Sequence, residues 1–413
     1  MRHVYLDNHS NTRVDDRVIK AMMPYVREHY GNAQSMHTLG SLSRDAIEHA
    51  REQVAALIGG QPNEVYFTAS GSEANNLAVK GIAQAYRDKG NHIIVSAIEH
   101  FSVLYAARRL SQAGYEVTIL PVDKNGRISI DVLQKALRPD TTVVSIQHTN
   151  TEIGTMQDIA QIVSIVKKNG SIMHTDAVAA AGVVPVNVTV LGVDALTMAG
   201  SAFYGPKGAA AVYLKKGIRI TPQIDGGIQE NGRRAGTENV PAIVGFGKAA
   251  ELAGLEMEQT AADMRRRRDA LIDGLKERIP YVYLNGDPQQ RHPGNANFSV
   301  EFIEGEGMFL LLDARGIYVS SGSACASKAL KMSHVLTAIN VDPAVGQGSV
   351  LMTLSKYITD NDVAYVLDEF PRVVEKLRSL SPLFGYFQKT GQRKEAGPGT
   401  DYEHAHEHDG ESE

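Results

Sequence analysis

The 413-residue chain holds one cysteine, Cys325, so no internal disulfide framework exists. That scarcity suits a reducing compartment. The first residues, MRHVYLDNHSNTR, contain no apolar run suited to a signal peptide, and no other stretch has the length of apolar residues needed to span a bilayer. The expectation is a cytoplasmic protein with no membrane partner. Charge excess is also lacking. The formal net charge is -5, and the segment from Gly391 onward, with seven acids against two bases, accounts for all of it. A neutral body argues against a nucleic-acid partner. The run Arg265–Arg268 sits in a helical pattern and reads as a solvated helix face. No internal repeat is present.

What is present is an alternation. From about residue 44 helical and strand patterns succeed one another: RDAIEHAREQVAALIG, then EVYFTA, a helix from Glu73, HIIVSA, FSVLYAARRL, YEVTIL, IDVLQKAL, TTVVSIQ, IAQIVSIVKK and SIMHTD, followed by DALTMA and AAAVYL. The pattern predicts an α/β fold, a mostly parallel sheet flanked by helices, with its ligand crevice at the carboxyl ends of the strands. After about residue 255 charged helices surround the short strands VYLNG, NANFSVEF and SVLMTL, which predicts a smaller α+β domain. The expected division is a large domain over 16–255, a small domain from 1–15 and 256–390, and a disordered acidic tail over 391–413. Pro371 predicts a kink or break in the last long helix.

Four places could carry chemistry. Gly71 and Ser72 lie between a strand and a helix, where free backbone N–H groups and a hydroxyl suit a phosphate; Ser72 as a simple helix cap is the alternative. Asp176 ends a strand and could hold a protonated ring nitrogen or cap a helix. His100 follows another strand and could stack on a planar ligand or be a surface histidine. Cys325 follows the small-residue loop SSGSA, where a thiolate could serve as nucleophile or metal ligand; an inert thiol is the alternative. In the tail, His404, His406 and His408 alternate with other residues in EHAHEHDG, which suits weak metal binding or a merely solvated segment.

Taken together, VYLDNHSNTRVDDRV, GNAQSMHTLG, FTASGSEANNLAVKG, EHFSV, NTEIGTMQDI, HTDA, YGPKGAAAVYL, GGIQENGRRAGTENVP, YLNG, SSGSACAS and LRSLSPL resemble the cysteine desulfurases of iron–sulfur cluster assembly, in order, from residue 1 to about 386. The resemblance implies the pyridoxal phosphate fold of type I, a homodimer, a persulfide on Cys325, and an iron–sulfur scaffold protein docked through the Cys325 loop and the C-terminal region. It assigns Gly71 and Ser72 to the cofactor phosphate, His100 to the face of its ring, Asp176 to its ring nitrogen, and Thr237 to the phosphate of the other subunit.

The same comparison marks departures. Ala202 stands where the family has the lysine that bonds the cofactor, Ser201 where it has a histidine, and Ala199 where it has a phosphate-binding serine. Lys207 matches a second family lysine, not the missing one. Ala179 replaces a glutamine, Thr151 an asparagine, and Leu351 the arginine that grips the substrate carboxylate. These losses predict that desulfuration of L-cysteine is lost or strongly impaired, with pyridoxal phosphate absent or noncovalently held. Cys325 would then carry sulfur, from free sulfide or another donor, or ligate a nascent iron–sulfur cluster. The competing readings are an active desulfurase with a noncovalent cofactor, a cofactor-free enzyme, and a structural partner in a mixed dimer.

Overall fold

A computed structural model describes residues 2–321 and 332–393. Cys325 and the histidine tail lie outside the described residues.

The strands expected between residues 65 and 214 all form. They make one seven-stranded sheet in the order Val65–Thr68, Ala210–Leu214, Ala195–Ala199, Ile172–Asp176, Thr141–Ser145, His92–Ser96, Glu116–Leu120. Neighbours are parallel except around Ala210–Leu214, which runs antiparallel to both of its partners. Most of these strands are buried along their whole length, because helices cover both faces. One apolar core packs Val144, Met173, Leu196 and Phe246. A second, on the opposite face, packs Leu77, Ile82, Val103 and Leu110.

A further core joins Phe298, Val350, Met352, Phe370 and Val374 around an antiparallel sheet of Val282–Leu284, Asn295–Val300 and Ser349–Thr353. The chain start adds a two-residue parallel pairing, Val4–Tyr5 with Ile317–Tyr318. The helix Val240–Arg278 connects the cores. It contributes Ile243 and Phe246 to the first and Leu271 and Leu275 to the third, so it passes residue 255 without a break. At about 1.5 Å per residue it is about 58 Å long.

Three details differ from the sequence reading. Arg265–Arg268 is not a uniform solvated face. Arg266 and Arg267 both pair with Asp360 at 2.8 Å, and Arg268 is buried, donating to the Arg291 and His292 carbonyls. The run is a clamp between helices. Pro371 does not end its helix, which is continuous over Asp360–Leu380. A proline leaves the carbonyl four residues back without its helical donor. Here that carbonyl, on Leu367, accepts from Arg278 Nη1 at 2.6 Å. The acidic tail also begins later than Gly391. Gly391 caps the helix Pro382–Thr390 in the left-handed region (φ 68°), and Arg393 pairs with Glu301 at 2.7 Å. Among the described residues no helix is long and apolar enough to cross a membrane.

Candidate ligand cavity

The carboxyl ends of the sheet strands open onto one cavity of about 370 Å³. Each wall is a loop that follows a strand: Ser70–Ser72 after Val65–Thr68, Ile98–Phe101 after His92–Ser96, Gln147–Glu152 after Thr141–Ser145, Val178 after Asp176, and Ser201 after Ala195–Ala199. His9, Ser10, His334 and Val335 complete the lining, Val335 packing in a small cluster with Ile98 and Ile153. A smaller void of about 60 Å³ shares His9, Asn150, Thr151 and Val178 with this cavity and reaches Ala179 and Ala202.

Gly71, Ser72, His100 and Asp176, expected at one site from separate motifs, line the cavity together. The helix Gly71–Ala85 is capped by Ser70, not Ser72: Ser70 Oγ accepts from Glu73 N at 3.1 Å. The Ser72 hydroxyl and the N–H groups of Gly71 and Ser72 therefore have no partner among the described residues. They offer donors at a helix N-terminus, where the backbone dipole favours an anion. A Cβ at position 71 would lie 2.9 Å from Val178 Cγ2, so glycine there keeps the cradle open. Asp176 is fixed at both oxygens: Oδ1 accepts from Val178 N at 2.9 Å and Oδ2 from Asn75 Nδ2 at 2.6 Å. His100 caps the helix Phe101–Gln112, its Nδ1 accepting from Ser102 N at 3.1 Å.

The remaining expectations fall elsewhere. Thr237 is exposed and lines neither void. Its stretch is held by Glu230, in the left-handed region (φ 50°), which accepts from Arg51 Nη1 at 2.8 Å and from Phe67 N at 2.8 Å. Losing one partner of so buried a pair costs about 3–5 kcal/mol. Leu351 is fully buried in the Ser349–Thr353 strand and touches neither void. Lys207 is exposed. Neither void has a lysine or arginine in its lining among the described residues. No group of three or more metal-ligating side chains forms among those residues.

Sequence reasoning missed two buried acids in the cavity wall. Glu99 Oε1 accepts from Ser96 Oγ at 2.5 Å and Gln147 N at 2.9 Å; Glu152 Oε2 accepts from Ser333 Oγ at 2.6 Å. The second oxygen of each has no partner among the described residues. The available signal was position: Glu99 precedes His100 in IEHFSV, and Glu152 follows Thr151. Burial pushes Glu99 up to about 8 and Glu152 up to about 7.

These shifts have a consequence for stability. A carboxyl whose folded pKa is raised binds its proton more tightly when folded, so its contribution fades as pH climbs from the ordinary 4.5 through the folded value. Buried His148 and His174, held down near 4 and 3 by burial, instead penalise the acid side below their ordinary 6.5. His92, His292 and His334 are lowered by burial in the same way, so the window that isolates the glutamates runs from about 7.5, where unfolded imidazoles are already neutral, through about 8. The urea midpoint should fall across it, and Glu99→Gln should flatten the fall. A wild-type midpoint that stays level, or a Glu99→Gln profile identical to it, contradicts the assignment.

The chain is similar to several known proteins along nearly its whole length. The aminotransferase class-V family model matches residues 4–366. The chain is 50% identical over 380 residues to the cysteine desulfurase IscS of Methanosarcina thermophila, covering 92% of this chain and 94% of that one. It is 48% identical to the cysteine desulfurase IscS of Dictyoglomus turgidum, covering 92% and 97%. A solved NifS-like protein superposes with a TM-score of 0.86 at 36% identity, covering 91% of this chain and all of the other.

Proposed function

From the premise that the chain belongs to the class-V aminotransferase family, with close relatives named cysteine desulfurase, we propose that it is a sulfur-handling protein of iron–sulfur cluster biogenesis that has given up pyridoxal-phosphate-dependent desulfuration of L-cysteine. The observation that carries this is Ala202, at the edge of a cavity system that has no lysine or arginine in its described lining.

The residues present fit part of the family cofactor. Gly71 and Ser72 would hold its phosphate by unpartnered donors, Asp176 its ring nitrogen, and His100 its face. Thr237 would act across a homodimer. Bound there, pyridoxal phosphate would supply an electron sink for a carbanion next to the amino-acid nitrogen. The covalent anchor does not fit: alanine has no amine to bond the cofactor and no group to move a proton. A missing proton-transfer residue alone typically slows turnover by about 10²–10⁴-fold. Ala179 and Thr151 remove further polar groups beside it.

Sulfur then reaches Cys325 from outside. A thiolate at Cys325 attacks the outer sulfur of a donor persulfide, the donor thiolate leaves, and the sulfur stays at the same oxidation level. A nascent iron–sulfur cluster is the other cargo this thiol could bind. For the scaffold protein, the C-terminal helix Pro382–Thr390 and the end of the helix before it, at Leu380, support a docking face. Phe384 and Phe387 pack inward on Phe302, at ring separations of 5.5 and 4.8 Å, while Leu380 (71% exposed), Leu383 (49%) and Tyr386 (40%) face out.

The cradle itself favours a second reading, an active desulfurase with a noncovalent cofactor. Sulfide release from L-cysteine, with pyridoxal phosphate and reductant added, separates the two. The expected rate is that of a protein-free control; turnover abolished by Cys325→Ser would establish the second reading.

A further inference from the structure

Two groups that line the cavity, His100 and Asp176, are joined through the protein by two further side chains, Asn75 and Ser102. Asn75, buried in the helix Gly71–Ala85, donates from Nδ2 to Asp176 Oδ2 at 2.6 Å and to Ser102 Oγ at 2.9 Å. Ser102 Oγ lies 2.7 Å from His100 Nδ1.

The direction of each hydrogen bond can be worked out. The Asp176 carboxylate only accepts, so the Asn75 nitrogen, and not its oxygen, faces it. The other Asn75 hydrogen goes to Ser102 Oγ, which therefore accepts there. The Ser102 hydroxyl proton is left to point at His100. His100 Nδ1 also receives the Ser102 backbone N–H, so it is an acceptor twice over and the neutral ring carries its hydrogen on Nε2. One unbroken chain runs from Asn75 to both groups, with Asp176 Oδ1 pinned separately by Val178 N. The Asn75 Oδ1 atom is buried without a partner among the described residues, so among them the amide is oriented by these two donations.

We propose that Asn75 and Ser102 are positioning residues that hold Asp176 and His100 as one unit, setting the edge contact and the face contact of a planar nitrogen heterocycle together. This deepens the proposed function and rests on it in one respect, that the cavity takes such a ring without a covalent bond.

The test has two arms, both on the full chain. In the first, ¹⁵N NMR of histidine-labelled, ligand-free protein follows His100, with Asn75→Ala and Ser102→Ala as variants. The expected result is an Nε2–H ring in the wild type and an Nδ1 resonance that moves toward its unbonded position in both variants, with melting temperatures retained. Asn75 does not touch His100, so a purely structural role would leave that resonance in place; an unmoved resonance in Asn75→Ala overturns the chain. If Asn75→Ala does not fold, Asn75→Ser decides the same point, because a serine keeps a small polar side chain but has one donor and cannot serve both Asp176 and Ser102. The second arm titrates pyridoxal 5′-phosphate. Asn75→Ala should bind it about tenfold or more weakly, the scale of a lost hydrogen bond to a charged group; binding within twofold of wild type overturns the role toward the ring. Wild-type protein that does not bind the compound refutes the heterocycle reading, while the NMR arm still decides the hydrogen-bond chain.

Discussion

Ala202→Lys yields a protein that bonds pyridoxal phosphate covalently yet turns over L-cysteine at least about a hundredfold more slowly than the triple variant Ala202→Lys, Ala179→Gln, Thr151→Asn. The first half follows from space. Ala202 borders the void of about 60 Å³, with Ala179, Thr151 and Val178 around it, so a lysine extends into room already present and does not overpack the core. The second half follows from what still surrounds that amine. Ala179 and Thr151 leave positions near the reacting centre without the amide groups the family uses there. Each missing charge-assisted hydrogen bond is worth about 1.5–3 kcal/mol, or roughly tenfold to a hundredfold. Leu351→Arg is omitted from the triple variant, because Leu351 is fully buried and a guanidinium there would lack a partner. The readouts are cofactor retained after borohydride reduction and denaturation, and sulfide released from L-cysteine. A single Ala202→Lys change that matches the triple variant would mean that the pocket needs only its lysine and that the neighbouring substitutions are neutral.

Much of this site was legible because its residues come in runs dictated by the backbone. The strands are short runs centred on β-branched residues, as in TTVVS and HIIVS, and burial on both faces favours such residues along the whole strand. Once the strands were in place, the loops after them had to meet at one edge, and Gly71, Ser72, His100 and Asp176 followed. What escaped was anything decided by a partner far along the chain. Val4–Tyr5 is too short to show a period, and only Ile317–Tyr318 makes it a strand. Pro371 reads as a helix breaker until Arg278 is seen to take the carbonyl it leaves open. Arg268 reads as one more surface arginine until the 291–292 carbonyls cover it. Ser70 and Ser72 are both plausible caps by residue type, and only the direction of Ser70 Oγ separates them. Asn75, Glu99 and Glu152 belong to the same class: their polarity is visible in the sequence, but their burial is not.

Cys325→Ser should remove all sulfur loading and leave the rest of the molecule intact. The argument is one of elimination joined to chemistry. Cys325 is the only thiol in the 413 residues, so no second cysteine can substitute for it or resolve a disulfide with it. Sulfur transfer from a persulfide requires a thiolate nucleophile, and a serine hydroxyl is neither nucleophilic enough at neutral pH nor able to hold sulfur in a bond that a reductant then releases. Exposure to a small-molecule persulfide, followed by intact-protein mass spectrometry, should add one sulfur to the wild-type chain and none to the variant, and reductant should remove it. Scaffold binding through the Leu380, Leu383 and Tyr386 face should survive in Cys325→Ser, because Leu383 and Tyr386 lie on the helix Pro382–Thr390, anchored on Phe302, and Leu380 ends the helix before it. Equal sulfur loading by the variant would remove Cys325 from the function altogether. Loss of scaffold binding in the same variant would instead make the thiol part of the docking contact, so that the two outcomes tell a sulfur carrier from a structural cysteine at an interface.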